Sequence, residues 1–274
     1  MSSLSAQQYQ FVRDLVRKRS GIVLDEGKNY LIEFRLSELA RASGQDSAHA
    51  LLSAAESTPS SPVTDRIVHA MATHETSFFR DQTPFDALNE VILPMLRRSR
   101  REDKRIRIWS AACSTGQEPF SIAMTILEKF NDLASWDISI LATDISELVI
   151  ERARRGRFSS LEVGRGLPSM YLQKYFVKDG NDWALHPEVT ELVTFRSLNL
   201  LNLPVRGEPF DLIFLRNVLI YFSPETKRNV LQAIRPRLRP DGFLFLGAPE
   251  MTLAAGEAFE TVPEVKTACF RLKE

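Results

Sequence analysis

The chain has 274 residues, of which 44% are hydrophobic and 26% are charged, and its 35 Lys and Arg residues are balanced by 35 Asp and Glu residues. This composition supplies enough apolar side chains for a large core, and it excludes a disordered, collagenous or coiled-coil protein. Because the formal net charge is zero, we expect no nucleic-acid partner, and any charged partner must be recognised by a local patch.

The sequence predicts a cytoplasmic protein that is not inserted in a membrane. We expect no signal peptide, because the first residues contain neither a cationic start nor an apolar stretch. No run approaches the roughly 20 apolar residues that a membrane span requires. Cys113 and Cys269 stand far apart without a CxxC spacing, so we expect small packing residues rather than a disulfide framework or a thiolate metal site. The histidines show no zinc-binding spacing, and no metal is expected.

Residues 1–74 predict an N-terminal all-α domain, because apolar residues recur at helical spacing without a strand pattern. Ser5 and Gln8 match a capping box at the start of the first helix. A second helix is predicted over residues 28–42. A proline- and serine-rich loop at 57–62 leads into a further helix, with Pro62 in its first turn.

Residues 75–274 predict an α/β domain, because buried strands alternate with helices, as in a mostly parallel sheet. The predicted strands cover residues 106–109, 138–143, 210–215 and 242–247. A segment at about 166–198 interrupts this alternation and predicts an inserted β-subdomain of small antiparallel strands at 176–178, 183–185 and 192–195. The basic run at 97–101 is interpreted as an exposed connector.

Polar residues follow three of the predicted strands, at the sheet edge where open parallel sheets bind ligands. The loop at 111–116 has one glycine and no Lys-Ser/Thr pair, so it is not suited to a pyrophosphate. Glu118, at the start of the next helix, would repel a phosphate and attract an ammonium group, which points to S-adenosylmethionine. Asp144 could accept both ribose hydroxyls of a nucleoside. The third strand is followed by Arg216, Asn217 and Tyr221.

Each of these side chains also has a structural interpretation. Asp144 could cap a helix or stabilise a turn, and Glu118 could complement a helix dipole. Tyr221 lies in an aromatic run that could be core, and Arg216 could pair with a nearby acid. Their position at three successive strand ends favours a functional site.

Four ordered blocks of the sequence resemble the signature blocks of the CheR-type chemoreceptor glutamate methyltransferases. They are TSFFRD at 76–81, WSAACSTGQEPFS at 109–121, ATDI at 142–145 and FLRNVLIYF at 214–222. The resemblance extends over nearly the whole chain. It implies a class I S-adenosylmethionine-dependent methyltransferase sheet of Rossmann-like form, an N-terminal all-α domain and a small inserted antiparallel β-subdomain.

The resemblance also implies transfer of the methyl group of S-adenosylmethionine to glutamate side chains of bacterial chemoreceptors, with S-adenosylhomocysteine as the product. Family contacts to the cofactor fall on Thr76, Arg80, Glu118, Asp144, Asn199, Leu200, Arg216 and Asn217. His74 stands where many relatives have Asn, and a neutral imidazole could replace one hydrogen bond there. Arg80 and Tyr221 match the pair nearest the transferred methyl.

The expected partner is the cytoplasmic helical bundle of a chemoreceptor. Arg13, Arg17 and Lys18 on the first helix form either a solvated face or a docking surface for this acidic bundle. The turn at 179–182 is short compared with relatives that grip a receptor pentapeptide, so we expect no dependence on such a tether. The alternatives are a methyltransferase for another acceptor and a signalling module that binds the cofactor or its demethylated product without turnover.

Overall fold

The first unit of the chain is helical and comprises the residues up to Thr73 together with Tyr221–Thr226. The computed structural model describes residues 4–58, 61–130, 132, 135–204, 207–251 and 258–273. Residues 59 and 60 of the predicted loop lie outside these ranges. The main helices described in this unit are α1 (Ala6–Ser20), α2 (Asn29–Ala42), α3 (Ala48–Ser57) and α4 (Pro62–Met71).

Local capping groups and one apolar core define these helices. The Ser5 side chain accepts a hydrogen bond from the Gln8 amide, and the Gln8 side chain accepts one from the Ser5 amide, which confirms the predicted capping box. Pro62 occupies the first turn of α4, also as predicted. Val12, Leu36 and other apolar residues of the four helices are buried together, and each such side chain stabilises the fold by about 1.5–3 kcal/mol.

The second unit, His74–Ile220 with the residues from Lys227 onward, is an α/β domain. Its large sheet has the strand order β6-β2-β1-β7-β8-β10-β9, in which the first five strands are parallel and the last two are antiparallel to their neighbours. The strands are β1 (Arg105–Ala111), β2 (Asp137–Asp144), β6 (Val193–Ser197), β7 (Phe210–Leu215), β8 (Leu238–Leu246), β9 (Phe259–Thr261) and β10 (Cys269–Leu272).

The helices of this unit alternate with its strands. They are α5 (Thr83–Ala87), α6 (Leu93–Ser99), α7 (Gln117–Lys129), α8 (Glu147–Arg154), α9 (Ser160–Val163), α10 (Ser169–Tyr175), α11 (Pro187–Thr190) and α12 (Pro224–Ile234), whose first three residues belong to the helical unit. A π-helical turn, Leu88–Ile92, joins α5 to α6. No helix among the described residues is both long and apolar enough to cross a membrane.

A separate antiparallel sheet has the order β3-β5-β4, formed by β3 (Arg157–Ser159), β4 (Phe176–Asp179) and β5 (Asp182–Leu185). Its first strand therefore lies before residue 166, where the insertion was expected to begin. The predicted antiparallel strand at 192–195 is wrong, because β6 pairs in parallel with β2, from Val193 opposite Ile140 to Ser197 opposite Asp144. The alternation of apolar and polar residues in a short strand does not show which strand it will pair with. Here the chain returns to the edge of the large sheet.

The basic run at 97–101 is not simply an exposed connector, because Arg100 is buried. Its Nε donates to Asp211 Oδ1 at 2.6 Å, and its Nη1 and Nη2 donate to the two carboxylate oxygens of Asp241 at 2.7 and 2.6 Å. These charge-assisted bonds offset the desolvation of the guanidinium. Cys113 and Cys269 are buried packing residues, as predicted, and burial raises the pKa of both thiols.

Candidate cofactor and catalytic site

The carboxyl ends of β1, β2 and β7 meet at one edge of the sheet, because these strands are adjacent and parallel. The loop after β1 turns sharply, with Ser114 at φ 51° and Gly116 at φ 96°. A side chain at Gly116 would also place its Cβ 3.1 Å from Ala153 Cβ, so both conformation and space favour glycine. The sharp turn brings the loop backbone to the end of β2.

Asp144 ends β2 and is only 5% exposed. Its Oδ2 accepts a hydrogen bond from the Ser114 amide at 2.9 Å, and its Oδ1 accepts one from the Ser146 amide at 3.1 Å. Ser146 is the N-cap residue of α8, but its side chain makes no capping bond, so Asp144 stabilises this turn instead. Further lone pairs of the carboxylate remain able to accept ribose hydroxyls.

His74 lies beside the same carboxylate. Its Nδ1 is 3.9 Å from Asp144 Oδ1, and its carbonyl oxygen accepts a hydrogen bond from Ser114 Oγ at 2.7 Å. The distance between Nδ1 and Oδ1 is longer than a hydrogen bond. The His74 backbone is therefore anchored to the loop, while its ring stands next to the proposed ribose acceptor.

Glu118 and Arg216 form a buried ion pair across the ends of β1 and β7. Arg216 Nη1 donates to Glu118 Oε2 at 3.0 Å, and Ser110 Oγ donates to Glu118 Oε1 at 2.8 Å. The Arg216 side chain is 1% exposed and that of Glu118 is 13% exposed. The structural interpretation of Arg216, pairing with a nearby acid, is therefore confirmed.

Arg216 also holds the segment that carries Arg80. Its Nη2 donates to Asp81 Oδ2 and to the Arg80 carbonyl oxygen, both at 2.9 Å. Two carboxylates and one guanidinium leave this cluster with a net charge of −1, counted from Glu118, Asp81 and Arg216. An ammonium group would balance the remaining negative charge. The cluster therefore fits the ammonium group in the amino-acid part of S-adenosylmethionine.

Arg80 lies between residues with left-handed backbone conformations: φ is 48° at Phe79, 66° at Asp81 and 32° at Gln82. Such non-glycine residues cost about 1 kcal/mol or more each and persist only where other contacts hold them. The Phe79 amide donates to Ser121 Oγ at 3.0 Å, and Arg80 Nη1 donates to the Glu75 carbonyl oxygen at 3.0 Å. The Arg80 guanidinium is therefore held in one place.

The remaining residues that are predicted to bind the cofactor lie close to these elements. The Leu198 amide donates to the Asp144 carbonyl oxygen at 2.8 Å, which places the next residues, Asn199 and Leu200, beside the end of β2. Asn199 Oδ1 accepts the Leu201 amide at 3.0 Å, and Leu200 is buried. Thr76 is half-buried in the segment between His74 and Arg80.

Asn217, the residue after Arg216, has a left-handed φ of 58°. Its amide donates to the carboxylate of Glu250 at 2.9 Å. Glu250 was not predicted from the sequence, although an acid three residues after Gly247, at the end of β8, matches a capping-box spacing. Such a spacing alone is too common to single out a functional residue.

Tyr221 belongs to the helical unit. Its carbonyl oxygen accepts a hydrogen bond from the Val23 amide at 2.8 Å, and the adjacent Phe222 bridges to Ile22. The structure therefore assembles the other site residues within the α/β unit, whereas Tyr221 is held by backbone contacts within the helical one. Its catalytic role stays a prediction.

The three residues predicted to dock a receptor differ in their surroundings. Arg13 is half-buried, and its Nη2 donates to Asn29 Oδ1 and to the Glu26 carbonyl oxygen. Arg17 and Lys18 are exposed. The contacts of Arg13 indicate that it stabilises the turn before α2, so the exposed pair is the better candidate for a docking contact.

The site defines a class of protein. An open, mainly parallel sheet carries an acid at the end of β2 and a second acid in the first turn of the helix after β1. The loop between β1 and that helix has one glycine, unlike the glycine-rich loop of a phosphate site. This arrangement suits a nucleoside whose amino-acid tail carries an ammonium group, and it defines a class I S-adenosylmethionine-dependent methyltransferase.

Comparison with known proteins identifies the family. Residues 74–267 match the family model described as CheR methyltransferase, SAM binding domain, and residues 7–61 match CheR methyltransferase, all-alpha domain. The chain is 41% identical over 254 residues to Chemotaxis protein methyltransferase 1 of Pseudomonas aeruginosa, covering 91% of this chain and 92% of that protein. It is 41% identical over 266 residues to Chemotaxis protein methyltransferase of Vibrio parahaemolyticus, covering 95% and 94%.

The chain therefore belongs to the CheR methyltransferase family. It is an S-adenosylmethionine-dependent methyltransferase of chemotaxis, with S-adenosylmethionine as the cofactor and S-adenosylhomocysteine as its product. The family resemblance, the fold class and the cofactor predicted from the sequence are confirmed.

Proposed function

We propose that the protein methylates glutamate side chains in the cytoplasmic helical bundle of chemoreceptors, giving glutamate methyl esters. The observation that supports this acceptor best is the state of the Arg80 guanidinium. Its guanidinium is held by the Glu75 carbonyl oxygen, and no carboxylate of the described residues forms an ion pair with it. A guanidinium has five N–H donors, so Arg80 can still bind an incoming carboxylate in a bidentate manner.

A glutamate acceptor requires little chemistry from the protein. Its pKa near 4.3 makes it ionised at pH 7, so no general base has to remove a proton. The cofactor, when bound, supplies the methyl group on a positively charged sulfur. Because opposite charges are lost in the transfer, a strongly polar site would stabilise the ground state more than the transition state. The residues of the site should therefore act mainly by alignment.

The roles proposed for individual residues combine the family resemblance with the contacts that each residue makes. Glu118 binds the amino-acid part of the cofactor, and Asp144 accepts the ribose hydroxyls, with His74, Thr76, Asn199, Leu200 and Asn217 completing the cofactor site. Arg80 binds the acceptor carboxylate, and the hydroxyl of Tyr221 orients it. Arg216 contributes by fixing Glu118 and the backbone of Arg80.

We also propose that the receptor needs no C-terminal pentapeptide tether. The β4–β5 hairpin of the small sheet is closed by a short turn with Gly180 at φ 61°. This leaves no extended loop between its two strands. Calorimetric titration with such a peptide should show no tight binding, and a tight complex would contradict this part of the proposal.

The decisive experiment is mass spectrometry of candidate receptors after incubation with the purified protein and S-adenosylmethionine. We expect methyl esters on glutamate residues of the helical bundle. An Arg80→Ala sample should lose most of this methylation while keeping its unfolding temperature. The proposal would be refuted if methyl esters were found on another acceptor and not on the receptors. Binding of the cofactor without any turnover would instead favour a signalling module.

A further inference from the structure

Glu250 is a buried acid with no role in the function described so far. It ends the short 3-10 turn Ala248–Glu250 that follows β8, and it is 0% exposed. A buried carboxylate is costly unless hydrogen bonds compensate the loss of water. Its partners therefore indicate what the charge is used for.

The Glu250 carboxylate is bonded to three backbone amides. Its Oε2 accepts the amides of Gly247 at 2.7 Å and Asn217 at 2.9 Å, and its Oε1 accepts the Ile220 amide at 3.2 Å. Two of these amides lie in the turn after β7. One carboxylate thus fixes both ends of that turn.

Gly247 provides the space that this contact needs. A Cβ at this position would lie 2.8 Å from Glu250 Oε2, 2.8 Å from Asn217 Nδ2 and 3.0 Å from the Asn217 amide nitrogen. The φ of Gly247 is −70°, which any residue can adopt. Glycine is therefore required here because Glu250 and Asn217 leave no space for a Cβ, and not because of its backbone conformation.

The turn held by Glu250 carries the residues to which the proposed function assigns work. Asn217, at its first end, has a left-handed φ of 58°, a conformation that needs support from its surroundings. Ile220, at its second end, directly precedes Tyr221 in the chain. The two oxygens of Glu250 therefore bind different ends of the turn. Oε2 binds the end with Asn217, and Oε1 binds the end that precedes Tyr221.

We propose that Glu250 is a positioning residue for methyl transfer, which holds the turn at 216–220, in which Asn217 lies and which Tyr221 follows directly in the chain. This inference rests on the roles that the proposed function gives to those two residues. In this role Glu250, which is 0% exposed, acts through the turn that it holds.

The test is Glu250→Gln, which keeps the size of the side chain and removes one acceptor. The single amide oxygen can still bind Asn217 and Gly247, whereas its NH₂ group then faces the Ile220 amide, donor against donor. We expect kcat for receptor methylation to fall about 10- to 100-fold, since small misplacement of reacting groups is costly. The Kd for S-adenosylhomocysteine should change less than about threefold, because the cofactor end is retained.

Asp211→Asn is the matched control. Asp211 is also a buried acid and accepts a backbone amide, that of Arg107, at 2.7 Å, but it lies at the opposite end of β7. This variant should lower stability without lowering kcat per folded molecule. If Asp211→Asn fails to fold, Asp241→Asn replaces it, because Asp241 binds the same arginine, Arg100, and is more exposed. Gly247→Ala disturbs the Glu250 contact sterically and should reproduce the fall in kcat if Glu250→Gln fails to fold.

Hydrogen exchange separates this inference from the proposed function. The amide of Ile220 should exchange faster in Glu250→Gln than in wild-type protein, and no faster in Asp211→Asn. Equal exchange in wild type and Glu250→Gln would refute the inference, as would equal loss of kcat in Glu250→Gln and Asp211→Asn. If the wild-type protein methylated no receptor, the proposed function would be wrong, while the exchange data would still decide whether Glu250 holds the turn.

Discussion

Glu118 and Asp144 are both acids at the edge of the sheet, but their charges are held differently. Glu118 is paired with the buried guanidinium of Arg216, whereas Asp144 accepts hydrogen bonds from two backbone amides. Neutral donors leave the carboxylate with its full negative charge and free lone pairs. Asp144 is therefore the stronger acceptor for additional hydroxyl groups, as ribose recognition requires.

Asp144→Asn should weaken the binding of S-adenosylhomocysteine by about 10- to 100-fold, which corresponds to about 1.4–2.7 kcal/mol. The amide has one acceptor oxygen, and its NH₂ group would face either a backbone amide or a ribose hydroxyl. Isothermal titration calorimetry measures the affinity. Asp137→Asn is the matched control, because Asp137 begins the same strand and pairs with Arg105 on the surface. Equal affinities of the two variants would contradict the role of Asp144.

An ion cluster joins the end of α6 to two strands of the large sheet. Arg100, just after α6, binds Asp211 of β7 and Asp241 of β8. The hydrogen bond from Arg100 is the main cause that lowers the pKa of Asp241 below its ordinary value. A carboxyl group whose pKa is lower in the folded state stabilises the fold above its unfolded pKa, near 3.9, and this contribution is lost as the pH falls further.

The free energy of unfolding should therefore fall on acidification below about pH 4, and it should fall less in Asp241→Asn than in wild-type protein. Urea unfolding of the wild type and of Asp241→Asn, each at pH 7 and at pH 3, gives the four free energies of unfolding that the comparison needs. Asp137→Asn serves again as the control, since it removes an exposed carboxylate outside the cluster. A pH dependence in Asp241→Asn identical to that of the wild type would show that Asp241 does not contribute.

Sequence patterns predicted elements whose signals are local. The capping box of Ser5 and the apolar run 210–215 can be read from neighbouring residues, and both are present in the structure. Their positions after predicted strands indicated Glu118 and Asp144 as candidate site residues, the family blocks agreed, and the structure places both at the same sheet edge. Strand 193–197 was assigned to the wrong sheet because its partner, β2, is about 50 residues away in sequence.

Contacts between distant residues explain the other differences. Arg100 is buried beside two acids that lie 111 and 141 residues later in the chain. Glu250 reaches the amide of Asn217, which is 33 residues earlier. Neither contact leaves a periodic pattern, since each depends on which strands become neighbours. The burial of a charged side chain thus follows from topology, which the sequence shows only indirectly.

The net charge of the protein is zero, so an acidic receptor bundle can be attracted only by a local excess of cations. The last turn of α1 holds three of them, and Arg19 is paired there with Asp65. Arg17 and Lys18 are exposed. Exposed charges of this kind mainly accelerate encounter and orient the partner, and salt screens their effect.

The double variant Arg17→Glu/Lys18→Glu should raise the KM for receptor methylation about tenfold at 50 mM salt and by a smaller factor at 300 mM, because the Debye length shortens. Its Kd for S-adenosylhomocysteine should stay unchanged. The matched control is Arg98→Glu/Arg101→Glu, which reverses two exposed cations of the α/β unit and gives the same net charge. If both double variants raised KM equally, general repulsion would explain the loss and α1 would not be the docking surface.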